Sequence, residues 1–142
     1  MRRPLCVAVA IALIASSAHA VVLSSRVSSW CLWTQLYDLH AVVVRCAGKL
    51  PPEVESRYER LRQATEAAIR RDASLRAGES AESANAEMAQ YAAKSRAIDP
   101  KRCEDPQTKR EVEIFETFSS DDAAKLEAGL AERRDPWEGD CL

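Results

Sequence analysis

The cysteines carry the most specific chemistry in this sequence, and their spacing favours covalent cross-links over metal binding. Four of the five cysteines follow residue 20: Cys31, Cys46, Cys103 and Cys141. None of them forms a C-x-x-C pair, whereas zinc ligands usually come at close spacing. An even number of cysteines in a small exported chain is typical of disulfides. The sequence therefore predicts two disulfide bonds and neither a metal nor a cofactor.

The pairing of these cysteines can be narrowed by helix geometry. Cys31 and Cys46 fall on one predicted helix, where fifteen residues separate their Cα atoms by roughly 22 Å. A disulfide needs about 4.4–6.8 Å, so these two cannot bridge each other within an unbroken helix. If three long helices run up, down and up, the preferred pairing is Cys46–Cys103 with Cys31–Cys141. The alternative pairing, Cys31–Cys103 with Cys46–Cys141, stays open.

The residue types that perform catalysis occur without a recognisable local context. His40 is the only histidine after Ala20, and a catalytic role would require a nucleophile or carboxylate beside it. Carboxylates are abundant, and Glu55 with Ser56 could be nominated as part of an acid–base pair. The glycine-rich and aromatic context of peptidoglycan-cleaving enzymes is absent around them. We therefore interpret His40 and Glu55 as packing or surface residues and predict no catalytic residue.

The tryptophans allow two interpretations. Trp30, Trp33 and Trp137 could line a small-molecule pocket, but tryptophans three apart at a helix start more often belong to a core or cover a disulfide. We favour the core, with Trp137 packing on Trp30 or Trp33. Arginines between residues 60 and 76 alternate with Glu59 and Glu66, which is typical of a solvated helix face.

The charge distribution argues against nucleic acid and anionic lipid as partners. The formal net charge is −2, and loss of Arg2 and Arg3 with a cleaved signal would make it −4. Basic and acidic residues are interspersed, so no basic stripe is available to displace counterions.

Hydrophobic periodicity predicts an all-α fold: a disulfide-stapled bundle of three long helices plus a short helical pair. The predicted helices span roughly Ser28–Ala47, Pro52–Ala77, Ser80–Ala97, Gln107–Thr117 and Ser120–Arg133. The first is the most apolar, with Leu36, Leu39 and Val43 on its broad face, and is the expected central helix. A narrow polar stripe runs beside that face: Thr34, Asp38, Ala41 and Arg45. The segment after residue 134 is expected to be irregular.

The first 20 residues are typical of a cleavable secretory signal. Arg2 and Arg3 precede an apolar run from Leu5 to Ala15, and Ala18-His19-Ala20 offers a cleavage site. An uncleaved anchor extending to Leu23 is the alternative. We expect a signal peptide at 1–20 and one helical domain at 21–142, without stable membrane insertion after cleavage, in the periplasm or secreted.

No motif identifies a function, so three hypotheses follow from size, compartment and fold. The first is a non-catalytic exported helical protein that binds another protein. The alternative is a carrier of a small apolar ligand, which requires a cavity lined by Leu36, Leu39 and Val43. An enzyme is the third and least favoured, because it requires converging polar groups around His40 or a carboxylate pair.

Overall fold

The computed structural model describes residues 27–94 and 97–139, and every regular element in these two ranges is helical. Five α-helices follow one another: α1 (Ser29–Ala47), α2 (Pro52–Asp72), α3 (Ala81–Ala93), α4 (Pro106–Glu116) and α5 (Ser120–Leu130). Short 3₁₀ helices follow α2 (Ala73–Leu75) and precede α4 (Pro100–Glu104). The predicted all-α fold is therefore present. The predicted signal peptide lies outside the described residues.

Helix α1 has the boundaries that its capping residues dictate. The side chain of Ser28 accepts a hydrogen bond from the backbone N–H of Cys31, which satisfies one of the donors that a helix start leaves open. Gly48 ends the helix with φ 78°, a left-handed conformation that glycine adopts without steric cost.

Helix α2 begins as predicted and ends earlier. Pro52 occupies its first turn together with Glu53 and Glu55, because proline needs no intrahelical N–H partner there and acidic side chains favour a helix N-terminus. The α-helix ends at Asp72 rather than near Ala77, and the chain tightens into the 3₁₀ turn that follows it. Gly78, with φ 83°, then reverses the chain toward α3.

The remaining helices are short. Helix α3 has 13 residues, and α4 and α5 have 11 each, against 19 in α1 and 21 in α2. Ser80 caps α3 through a reciprocal capping box with Ser83. Helix α5 is capped by Ser119 rather than by Ser120, because the Ser119 hydroxyl reaches the backbone N–H of Asp122. The described chain thus has two long helices and three short ones.

Two apolar clusters hold the helices together. The first joins α1, α2, the following 3₁₀ turn and α3 through Trp33, Ile69, Ala73, Ala84 and Met88. The second joins α1, α2 and α4 through Val43, Leu50, Val54, Tyr58 and Phe115. Helix α1 contributes to both clusters, as expected for the most apolar helix, while α5 packs mainly against α2.

Helix α5 ends at Leu130 rather than near Arg133, and the irregular segment that follows contacts α1, α2 and the turn after α2. Asp72 is 2% exposed and accepts hydrogen bonds from the Arg133 side chain and the backbone N–H of Arg134. Arg76 forms an ion pair with Asp135 at 3.0 Å. The N–H of Trp30, which α1 cannot satisfy itself, donates to the carbonyl of Pro136 at 3.0 Å.

A disulfide joins Cys46 at the end of α1 to Cys103 in the 3₁₀ helix before α4. This is the pairing that the helix geometry favoured, and it excludes the alternative bond between Cys31 and Cys103. Cys31 is also disulfide-bonded; the predicted Cys31–Cys141 bond involves a residue outside the described ranges.

Across residues 27–94 and 97–139, no helix combines the length and apolar character needed to cross a bilayer.

Candidate binding pocket

A pocket of about 330 Å³ opens between α1, the end of α3 and the 3₁₀ helix before α4. We call it the Tyr37–Tyr91 pocket. The described residues that line it are Tyr37, Asp38, Ala41, Tyr91, Lys94, Ile98 and Arg102. The volume lies at the lower end of the range of about 300–1,000 Å³ that is typical of small-molecule sites.

The disulfide positions one wall of this pocket. Asp38 and Ala41 lie on α1, which also carries Cys46, and Arg102 directly precedes Cys103. The Cα atoms of the two bonded cysteines are 5.3 Å apart, so the 3₁₀ helix that carries Arg102 is fastened to α1. The covalent bond therefore fixes Arg102 relative to the residues that α1 contributes.

Hydrogen bonds orient the two tyrosines of the pocket. The hydroxyl of Tyr91 donates to Oδ2 of Asp38 at 2.6 Å, and the hydroxyl of Tyr37 donates to the carbonyl of Ala92 at 3.5 Å. Both bonds connect α1 to α3. The two rings pack edge to face with centroids 6.0 Å apart, a geometry that aromatic pairs prefer.

Two cationic side chains of the pocket lack an anionic partner within the described residues. Lys94 and Arg102 are exposed, and neither forms an ion pair with a carboxylate in residues 27–94 or 97–139. Among the described residues, Asp38 is the one carboxylate in the lining. The pocket thus combines aromatic and aliphatic walls with a local excess of positive charge.

An aromatic cluster lies behind the pocket and contains all three tryptophans. Its members are Trp30, Trp33, Tyr37, Tyr91 and Trp137. Trp33 is 3% exposed, and Trp137 packs against Trp30 with ring centroids 6.0 Å apart. None of the three tryptophans lines the pocket. This agrees with the core interpretation of the tryptophans, and it leaves the two tyrosines as the aromatic surface of the pocket.

The indole N–H groups of this cluster have acidic partners. Nε1 of Trp33 donates to Glu66 at 3.1 Å, and Nε1 of Trp137 donates to Glu87 at 3.2 Å. Glu66 also pairs with Arg62 and Arg70. Part of the alternating charge on α2 therefore supports the core and is more than a solvated face.

His40 and Glu55, which the sequence separates, are neighbours in the fold. Nε2 of His40 lies 3.0 Å from one carboxylate oxygen of Glu55 and 3.1 Å from the other. The imidazole stacks on Tyr58, 4.0 Å between centroids, and burial raises the pKa of the Tyr58 hydroxyl above its usual range. The pair fastens α1 to α2, and neither residue lines the Tyr37–Tyr91 pocket.

The residues proposed for an apolar ligand cavity pack against protein neighbours. Val43 is fully buried in the second apolar cluster. Leu36 and Leu39 are partly buried and pack against the same cluster. The described residues therefore offer no observation that favours the carrier hypothesis.

Within the described ranges, no group of three or more His, Cys, Asp or Glu side chains is arranged to hold a metal ion. No known protein family, curated protein or solved structure matches the chain.

The pocket residues were missed in the sequence because they come from three separate segments. One pattern did point to them: the polar stripe on α1, which contains Asp38 and Ala41. Polar residues on an otherwise apolar central helix indicate that this part of the helix faces a polar cavity or the protein surface. Nothing in the local sequence connects this stripe to Tyr91, Lys94 or Arg102, since only the fold of α3 and the disulfide brings them there.

Proposed function

We propose that this chain is a non-catalytic exported protein that binds another protein through the Tyr37–Tyr91 pocket. The observation that carries the proposal is the pocket itself, because its rings are fixed by hydrogen bonds and its two cations have no acidic partner among the described residues. Rigid aromatic side chains and arginine are enriched where proteins bind one another, since they bury much area at little entropic cost.

Export is the second part of the proposal. A disulfide between distant segments is typical of oxidising compartments and rare in the cytosol, which supports the periplasm or the exterior as the destination. Such a destination accords with a signal peptide over residues 1–20, cleaved after Ala20. A bundle of three long helices, by contrast, would require α3 to continue beyond Ala93. N-terminal sequencing of the envelope or secreted fraction should begin at Val21. Recovery of chains that begin at Met1 in the membrane pellet would contradict cleavage.

Blocking the pocket tests the binding role. In Ala41→Trp, a bulky indole occupies the pocket from its α1 wall, whereas Ala86→Trp places the same side chain on the exposed face of α3. Tagged wild type and Ala86→Trp should recover the same protein from an envelope extract, and Ala41→Trp should not. Circular dichroism and thermal melting establish that both variants fold. Equal recovery by all three proteins would contradict binding through the pocket.

A further inference from the structure

We infer that the Tyr37–Tyr91 pocket receives a glutamate-bearing acidic segment of the partner protein. This inference rests on the proposed function and adds the chemical class of the partner. It predicts that a carboxylate of the partner pairs with Arg102 and Lys94, while the apolar stem of the same side chain lies against the tyrosine rings.

Charge complementarity is the first argument. The chain as a whole has a formal net charge of −2, yet the described residues of the pocket lining include two cations, Lys94 and Arg102, and one carboxylate, Asp38. The pocket is therefore locally positive on an acidic protein. An anionic group gains attraction there, although the net charge of the whole chain is negative.

The hydrogen bonds inside the pocket indicate which side the anion occupies. Oδ2 of Asp38 already accepts a hydrogen bond from the Tyr91 hydroxyl, so this side of the pocket has a carboxylate of its own. Lys94 and Arg102 contribute donors that no acidic residue of the described chain engages. A guanidinium matches a carboxylate with two parallel N–H···O bonds, which are among the stronger hydrogen bonds in proteins.

The size and walls of the pocket favour a side chain over a simple inorganic anion. A volume of about 330 Å³ is far larger than an isolated carboxylate group needs. Tyr37, Ala41 and Ile98 supply apolar surface beside the cations. The methylene stem of glutamate can cover this surface while its carboxylate reaches the charged groups, which an anion without a stem cannot do.

The disulfide gives this arrangement its rigidity. Arg102 is adjacent to Cys103, and the bond to Cys46 holds its backbone at α1. A backbone that is already held in place loses less conformational freedom on binding than a mobile one, which favours the pairing.

Calorimetric titration of the protein with its disulfides formed tests the inference. The probe is an acetylated, amidated peptide of four Ala-Glu repeats, and its matched control is the Ala-Gln peptide. The Ala-Glu peptide should bind with a Kd at least roughly tenfold lower than that of Ala-Gln, the change expected from one charge-assisted hydrogen bond. Its affinity should fall as salt is raised, because the pairing groups are exposed.

Two double variants locate the binding site. Lys94→Gln with Arg102→Gln should raise the Kd of the Ala-Glu peptide roughly tenfold or more. Lys109→Gln with Arg110→Gln on α4 changes the net charge equally outside the pocket and should leave the Kd within about twofold of wild type. Equal weakening by both double variants would show a general charge effect and would overturn the inference.

The remaining outcomes separate this inference from the proposed function. Equal binding of the Ala-Glu and Ala-Gln peptides overturns the inference, as does acetate or inorganic phosphate binding as tightly as the peptide. If the pocket-blocking experiment still succeeds in that case, protein binding stands without the acidic specificity. Glutamate-specific binding without any protein captured by the wild type supports the pocket chemistry and contradicts the proposed function.

Discussion

The imidazole of His40 lies flat on the ring of Tyr58, with the two planes only 3° apart and the ring centroids separated by 4.0 Å. Glu55, which lies one turn before Tyr58 on α2, contacts Nε2 of the same imidazole. Phe115 of α4 approaches both rings, with centroids 6.1 Å from His40 and 5.6 Å from Tyr58. One histidine therefore links three helices beside Tyr58 and Phe115 of the second apolar cluster.

Replacing this histidine should destabilise the fold. His40→Ala removes the ring stack and should lower the free energy of unfolding by about 1–2 kcal/mol, the sum of lost aromatic contact and burial. Glu55→Gln is the control, because it keeps the stack and an acceptor oxygen while it removes the charge of a half-exposed side chain. Its effect should stay below about 0.5 kcal/mol. Urea unfolding measures both variants, and a larger loss in Glu55→Gln than in His40→Ala would contradict this ranking.

The Cys46–Cys103 disulfide should contribute a large part of the stability and also support the pocket. The two cysteines are 57 positions apart, and chain entropy assigns a loop of this length about 4 kcal/mol as an upper estimate. The double variant Cys46→Ala with Cys103→Ala should therefore have a clearly lower free energy of unfolding, as measured by urea unfolding. It should also bind the Ala-Glu peptide more weakly under conditions where it remains folded. A loss of stability under about 1 kcal/mol would mean that the packing of α1 and α4 suffices.

Asp72 makes the stability depend on pH in a defined direction. Hydrogen bonds from Arg71 and Arg133, with the backbone N–H of Arg134, hold the pKa of its carboxyl below the usual value of 3.8. Because the folded pKa is lowered, this stabilisation is complete above the unfolded pKa, about 3.9. It is lost as the pH falls through the folded value.

Asp72→Asn should accordingly lower the free energy of unfolding by about 1–2 kcal/mol at pH 7. The loss is limited to this range because the carboxylate is buried but its arginine partners are partly exposed. The difference in the free energy of unfolding between this variant and the wild type should stay constant down to about pH 5 and shrink below about pH 4. Urea unfolding at several pH values measures it. A difference that persists unchanged at about pH 2 would show that the cost comes from packing rather than charge.

Helix α3 should open more readily than α1. It buries only Ala84 and Met88, whereas α1 buries six residues, among them Leu32, Trp33 and Val43. Local opening free energies follow buried apolar contact. Hydrogen exchange monitored by mass spectrometry should therefore be faster in the centre of α3 than in the centre of α1. Equal protection would mean that the Tyr91 contacts stabilise α3 as strongly as the core stabilises α1.

The helices could be located from the sequence because their determinants are local. Ser28, Gly48 and Pro52 mark the ends of α1 and the start of α2 through capping and backbone geometry, and each acts within a few residues. The early end of α2 was missed because it depends on Asp72, which points into the segment after α5. The sequence indicates only that this segment is irregular, whereas in the fold Arg76 and the N–H of Trp30 hold it.

The pocket could not be predicted because its chemistry is assembled across the chain. The polar stripe on α1 placed Asp38 and Ala41 on one face, but the positions of Lys94 and Arg102 depend on the path between α3 and α4. The contact between His40 and Glu55 was missed for the same reason, since periodicity describes one helix at a time and does not specify which faces of two helices meet.

Site-specific photo-cross-linking in living cells can show whether a partner protein binds in the Tyr37–Tyr91 pocket. A benzophenone amino acid at position 41 reports on the pocket, and the same residue at position 86 reports on the outer face of α3. Position 41 should give one discrete protein adduct, which should be reduced in the Lys94→Gln, Arg102→Gln background and absent from position 86. Binding through the pocket is contradicted if position 41 gives no protein adduct, or if both positions yield the same adducts in equal amount.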